Sequence, residues 1–81
     1  MSLRSTILSQ FETVAKEREL KLPPLNDDLV LLESGLDSLS FAIIVARLED
    51  QLGFDPFSID ENLKIPITLI DFIRIYEHGA K

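Results

Sequence analysis

Apolar residues recur at helical spacing near the start of the chain. Leu3, Ile7, Phe11, Val14 and Ala15 fall on one face, with Arg4, Gln10, Glu12, Lys16 and Glu17 among them. This predicts an amphipathic helix from Leu3 to about Leu20. Pro23-Pro24 ends any continuation, because proline lacks the backbone donor and restricts the residue before it. From Lys21 to Asp37 no clean period holds. Asn26-Asp27-Asp28 and Ser34-Gly35 are turn clusters, yet Leu25, Leu29, Val30, Leu31, Leu32 and Leu36 are scattered through the stretch. A solvated linker would not be so rich in leucine. The pattern predicts a long ordered loop pinned across the helices by its leucines, with a short helical turn around Asp28 to Leu31.

Helical spacing returns from Ser38 to Leu52, where Leu39, Ala42, Ile43, Val45, Ala46, Leu48 and Leu52 form a broad apolar stripe. Gly53 suits the position just past a helix end, where a left-handed backbone is needed. Phe54-Asp55-Pro56-Phe57 then reads as an apolar link around a turn. Ser58-Ile59-Asp60-Glu61 has the capping-box spacing and predicts a short helix running to about Lys64. Pro66 fits the first turn of a last helix, whose buried face is expected from Ile67, Ile70, Ile73 and Tyr76, with Leu69 and Phe72 alongside, and which Gly79 closes. No strand candidate of comparable strength is present. The expected fold is all-α, a four-helix bundle with a long first loop and a short third helix. Phe11, Val14, Val45, Leu48, Leu52, Ile70 and Ile73 are expected to meet in its core.

Composition narrows the function. With 81 residues there is room for one domain, spanning 1–81. No apolar run is long enough to cross a membrane, and the start lacks the apolar stretch of a signal peptide. A beginning at Met1 and an end soon after the last helix favour a stand-alone protein. Cysteine is absent, so disulfides and thiolate zinc ligands play no part. A cytoplasmic monomer is expected. The net charge of −6 disfavours nucleic acid and anionic membrane as partners and suits docking onto basic protein surfaces.

Chemistry concentrates at Gly35-Leu36-Asp37-Ser38-Leu39. A serine hydroxyl is a poor nucleophile without a positioned base. The one histidine, His78, falls in the last turn of the last helix, where the helix dipole favours a cation. No orienting third group is recognisable, so an enzyme is not expected. Asp and Ser at a helix start are ordinary capping residues, and taken alone the dipeptide needs no other role. In context, a leucine-rich loop delivers Ser38 to a helix N-terminus, whose free backbone donors and positive dipole end would welcome a phosphodiester. The serine is better read as a substrate for modification than as a catalyst.

The Asp37-Ser38-Leu39 triplet resembles the attachment site of acyl and peptidyl carrier proteins. Helix order, the long first loop and the short third helix extend the resemblance over nearly the whole chain, with residues 31–57 carrying most of it. The resemblance implies that Ser38 receives 4′-phosphopantetheine from coenzyme A through a phosphopantetheinyl transferase, and that the thiol then holds an acyl or aminoacyl group as a thioester. It also implies that Asp37 lies beside the phosphate and helps place the magnesium used in that transfer, and that Leu39 contacts partner enzymes. The expected partners include an adenylating acyl or aminoacyl ligase and acyl-transferring enzymes.

One feature departs from carrier proteins of bacterial fatty-acid synthesis, which usually line the exposed side of this helix with acidic residues. Here Ser40-Phe41-Ala42-Ile43-Ile44-Val45-Ala46-Arg47 is largely apolar, and Glu49 and Asp50 supply the acidity. A docking surface is expected around Leu39, Phe41, Ile43 and Ala46, rimmed by Arg47, Glu49 and Asp50. Alternatively, the apolar residues are simply core. The competing function is a helical protein–protein interaction adaptor without a prosthetic group, which needs no hydroxyl at position 38.

Overall fold

The computed structural model describes residues 2–59 and 65–79. Among these residues, four α-helices follow in order: α1 (Leu3–Glu17), α2 (Ser38–Leu52), α3 (Pro56–Ile59) and α4 (Leu69–Gly79), with a 3-10 turn at Leu31–Glu33 in the long loop. The arrangement is the expected all-α one, with α1 packed against α2 and α4 and the short α3 against α4.

The first helix opens where Ser2 caps it, its hydroxyl accepting from the Ser5 amide at 3.1 Å. Ile7, Phe11, Val14 and Ala15 are buried as the spacing predicts. The helix stops before Leu20, however, and proline is not the cause. Glu19 turns left-handed at φ 57°. The amides of Glu19 and Leu20 then reach back to the carbonyls of Lys16 and Ala15 at 3.2 and 2.8 Å, which satisfies the last carbonyls and lays Leu20 against the core.

The loop is ordered as expected, but its helical turn lies at Leu31–Glu33 and not at Asp28–Leu31. The backbone upstream is committed elsewhere. The carbonyls of Asp27 and Leu29 accept from the amides of Ile70 and Leu69, each at 2.9 Å, and the Leu31 amide donates to the Ile67 carbonyl, also at 2.9 Å. Val30 thus forms an isolated antiparallel bridge with Thr68, an extended conformation that a helix would forbid. Leu31 and Leu36 are buried, whereas Leu32 projects outward at 89% exposure and pins nothing.

The second helix has the expected bounds, ending at Gly53 with φ 83°. Its buried line is Ser40, Ile44 and Leu48; Leu39, Ala42 and Ala46 are exposed, while Ile43, Val45 and Leu52 are half-buried. Apolar residues around most of a helix leave its rotation undetermined, and packing on α1 selects the face. The core therefore unites Phe11, Val14, Leu48 and Ile73 with Ile7, Ile44, Leu69, Phe72 and Tyr76, with Val45 and Leu52 at its margin. Ile70 is half-buried outside it.

Two helix starts also differ from expectation. α3 begins at Pro56, not Ser58, because Asp55 caps it: one carboxylate oxygen accepts from the Phe57 amide at 3.0 Å and the other from the Ser58 hydroxyl at 2.9 Å. The expected partner Glu61 and the run to Lys64 lie outside the described residues. A reciprocal cap instead opens α4. Asp71 accepts from the Thr68 amide at 3.1 Å, and the Thr68 hydroxyl accepts from the Asp71 amide at 3.4 Å. The helix consequently begins beyond Pro66, and Ile67, placed before it, is 66% exposed. Gly79 is the last described helical residue. Its role is close approach, since a Cβ there would stand 3.0 Å from the Phe54 ring.

Aromatic rings tie the layers together. Phe72 sits 5.4 Å from Phe11 and 5.1 Å from Tyr76, centroid to centroid. The Tyr76 side chain is fully buried, and its hydroxyl has no hydrogen-bond partner among the described residues. Two core substitutions should therefore differ sharply. Leu48→Ala should lower stability by roughly 2–5 kcal/mol. Tyr76→Phe should be neutral or stabilising, because it removes a hydroxyl whose burial costs about 1–3 kcal/mol when unpaired. Denaturant melts of both variants check the pair.

Candidate functional site

The long loop delivers the chain to α2 through two conformational requirements. Ser34 is buried, its hydroxyl donating to the Leu31 carbonyl at 2.6 Å. Gly35 follows at φ 87°, and a Cβ there would lie 3.3 Å from the Lys21 carbonyl oxygen. Glycine alone takes that backbone without strain. Leu36 is then buried, anchoring the chain just before the helix.

Asp37 is the cap. Its backbone is extended, and Oδ1 accepts from the Ser40 amide at 2.8 Å. Oδ2 faces Arg18 from the end of α1, with Nη2 at 3.3 Å. The Ser40 amide holds the Asp37 carboxyl below the ordinary aspartate range, and the Arg18 charge adds a smaller push in the same direction.

Ser38 is the first residue of α2 and is exposed. The Ser40 amide is taken by the Asp37 side chain and the Phe41 amide by the Asp37 carbonyl. Among the described residues, no acceptor is bonded to the amides of Ser38 and Leu39. An anion on the Ser38 hydroxyl would meet those donors and the positive end of the helix.

Beside Ser38 runs a groove of about 930 Å³ between α2, the long loop and the segment before α4. Phe41, Val45 and Ala46 of α2 line it together with Phe57 and Phe72, with Glu49 and Asp55 as acidic members. Leu32, Ile65 and Ile67 also line it and are 66–89% exposed. Nothing along the chain marks this groove directly, because its lining comes from five separate segments. The one available hint was the excess of apolar residues in α2.

The expected docking residues do not share one surface. Phe41 and Glu49 turn to the groove, as does exposed Ala46. Leu39, at 56% exposure, half-buried Ile43 and exposed Asp50 lie along the outer side. Arg47 points to α1, where it pairs with Glu17 at 2.6 Å. His78 is exposed in the last turn of α4. Among the described residues no cluster of His, Cys, Asp and Glu could hold a metal ion, and no helix is long and apolar enough to cross a membrane.

The Asp37 cap generates a pH-dependent prediction. Its carboxyl is lowered on folding, so its contribution is complete above the ordinary aspartate value of about 4 and is lost as pH falls through the lower folded value. Asp37→Ala should melt below the parent protein at neutral pH, and the gap should close in acid. A gap independent of pH would show that the carboxylate is not the cap.

Comparison with known proteins bears on this arrangement. The family model described as "Phosphopantetheine attachment site" matches residues 5–75. A non-reducing polyketide synthase of Cercospora nicotianae is 35% identical over 54 residues, covering 67% of this chain and 2% of that protein. The chain thus spans a small fraction of that relative's length. No solved structure matches. With that family match over most of its length, the chain belongs to the phosphopantetheine-binding carrier proteins, domains that bear 4′-phosphopantetheine as a prosthetic group.

Proposed function

We propose that Ser38 is the attachment residue and that the protein carries an apolar acyl group as a thioester. The observation that carries the first part is the position of Ser38: exposed, first in α2, directly after the Asp37 cap. A transferase can reach its hydroxyl without unfolding the helix. On transfer from coenzyme A, the Ser38 oxygen gains a bond to phosphorus and loses its proton, while the nucleotide part of coenzyme A leaves. When bound, the prosthetic group supplies a thiol on a long flexible arm. The protein's own residues hold the helix start, leave two amides for the phosphodiester and present an apolar surface beside it.

The groove supports the choice of cargo. Burial of apolar surface contributes roughly 0.8 kcal/mol per methylene, and groove walls of Phe41, Val45, Phe57 and Phe72 reward an alkyl or polyketide-like chain. A charged aminoacyl group would lose hydration there without a partner. The relative's description as a polyketide synthase agrees with an acyl cargo. Loading then falls to an acyl-transferring enzyme or to an adenylating ligase selective for apolar acids. Leu39, Ile43 and Asp50 on the outer side of α2 offer such an enzyme a contact surface, with Ala46 and Glu49 at the groove.

Intact mass measurement after incubation with coenzyme A and a broad-specificity transferase tests the attachment site. Ser38→Ala should gain no mass. Its melting should stay within about 0.5 kcal/mol of the parent, as for surface substitutions away from special features. Modification of the variant would overturn the assignment. For cargo, amide shifts of Val45, Ala46 and Phe57 should move when the thiol carries octanoyl and stay in place when it carries glycyl. Equal shifts for both cargoes would remove the groove's role.

A further inference from the structure

The residue just past the end of α1 is drawn toward the site by a contact that the proposed function does not use. Arg18 follows α1 as its cap residue, and its guanidinium reaches the residue that precedes Ser38, with Nη2 3.3 Å from Asp37 Oδ2. A guanidinium has five N–H donors in a planar fork. Among the described residues, one pairing with Asp37 is made, and Nε is cut off from solvent with no partner. Arg4 and Arg47 are occupied elsewhere, by Asp27 and Glu17.

Attaching a phosphodiester to Ser38 would put a second anion next to the Asp37 carboxylate, on a chain already at net charge −6. The helix dipole is equivalent to only about half a charge at its N-terminus. Arg18 is the full positive charge that the fold holds against this pair, and guanidinium groups suit shared contact with carboxylate and phosphate oxygens.

We infer that Arg18 is a positioning residue for the prosthetic group: in the modified protein its guanidinium bridges the Asp37 carboxylate and the phosphodiester on Ser38, offsetting the repulsion between them. This rests on Ser38 being the attachment residue. It assigns Arg18 no part in thioester chemistry. Lys21 provides a control, being an exposed cation on the same loop with no described bond to Asp37.

The test compares unmodified and modified protein for the parent, Arg18→Gln and Lys21→Gln. In the parent, modification should leave the melting temperature unchanged or raise it. In Arg18→Gln it should lower it by a few degrees at low salt, and added salt should shrink that loss. The phosphorus-31 resonance of the modified protein should differ between the parent and Arg18→Gln, with Lys21→Gln like the parent in both readouts. Nitrogen-15 spectra of the parent alone give a measurement that needs no variant to fold: the Arg18 Nε–H signal should shift, and its exchange with water should slow, on modification. An unchanged Nε–H signal, or equal effects of Arg18→Gln on the melting of both forms with an unmoved phosphorus resonance, would overturn the inference and reduce Arg18 to a support for Asp37. Failure of the parent to gain mass would overturn the Ser38 assignment first, and with it this inference.

Discussion

A long segment outside the helices must find partners for its backbone groups, and much of the architecture follows from how it does so. Between Arg18 and Asp37 the only helical element is the 3-10 turn at Leu31–Glu33. Buried amides and carbonyls left unpaired would be costly in a protein whose net stability is small. The bonds from Asp27, Leu29 and Leu31 to Ile70, Leu69 and Ile67 meet that demand. They also position the start of α4 and hold up one side of the groove. The same segment ends in Ser34, Gly35 and Leu36, which set the entry to α2. One set of hydrogen bonds therefore supports both the groove and the serine beside it.

Charge is handled locally around this frame. Acidic side chains outnumber basic ones 14 to 8, yet each described arginine-to-carboxylate pair joins segments distant in sequence: Arg4 with Asp27, Arg18 with Asp37, Arg47 with Glu17. Such exposed pairs contribute little stability. Their effect is on direction. Asp37 has one oxygen committed to the helix start and the other turned to α1, so the fold itself orients the carboxylate next to Ser38.

Much of this was legible in the sequence, for reasons that differ by element. The α1 stripe was read correctly because polar residues separate its apolar positions. The bounds of α2 followed from Asp37 and Gly53, whose chemistry acts within one turn. The face of α2 was not legible, since Leu39, Ala42, Ile43, Ile44, Val45 and Ala46 offer several equivalent stripes and only α1 decides among them. Capping signals were ambiguous for a related reason: Asp55 and Thr68 outcompeted Ser58 and Pro66 through bonds that spacing alone cannot rank. Glu19 is the clearest miss. A left-handed stop is usually written as glycine, and here the reward is the burial of Leu20. Ser38 stands out in the sequence because a motif marks it. The groove and the approach of Arg18 depend on segments that meet only after folding.

The placement of Ser38 at the groove's edge changes what recognition requires. A group hung from that position meets the groove as an intramolecular partner, at an effective concentration set by the length of its arm and in the millimolar range for short flexible linkers. A fit far too weak to retain a free ligand is then enough to keep the tethered one docked for much of the time. Occupancy becomes a ratio between docked and swung-out states of a single molecule, indifferent to dilution. Under the proposed attachment at Ser38, cargo is sorted by shape without a tight binding site and surrendered to a partner at small cost.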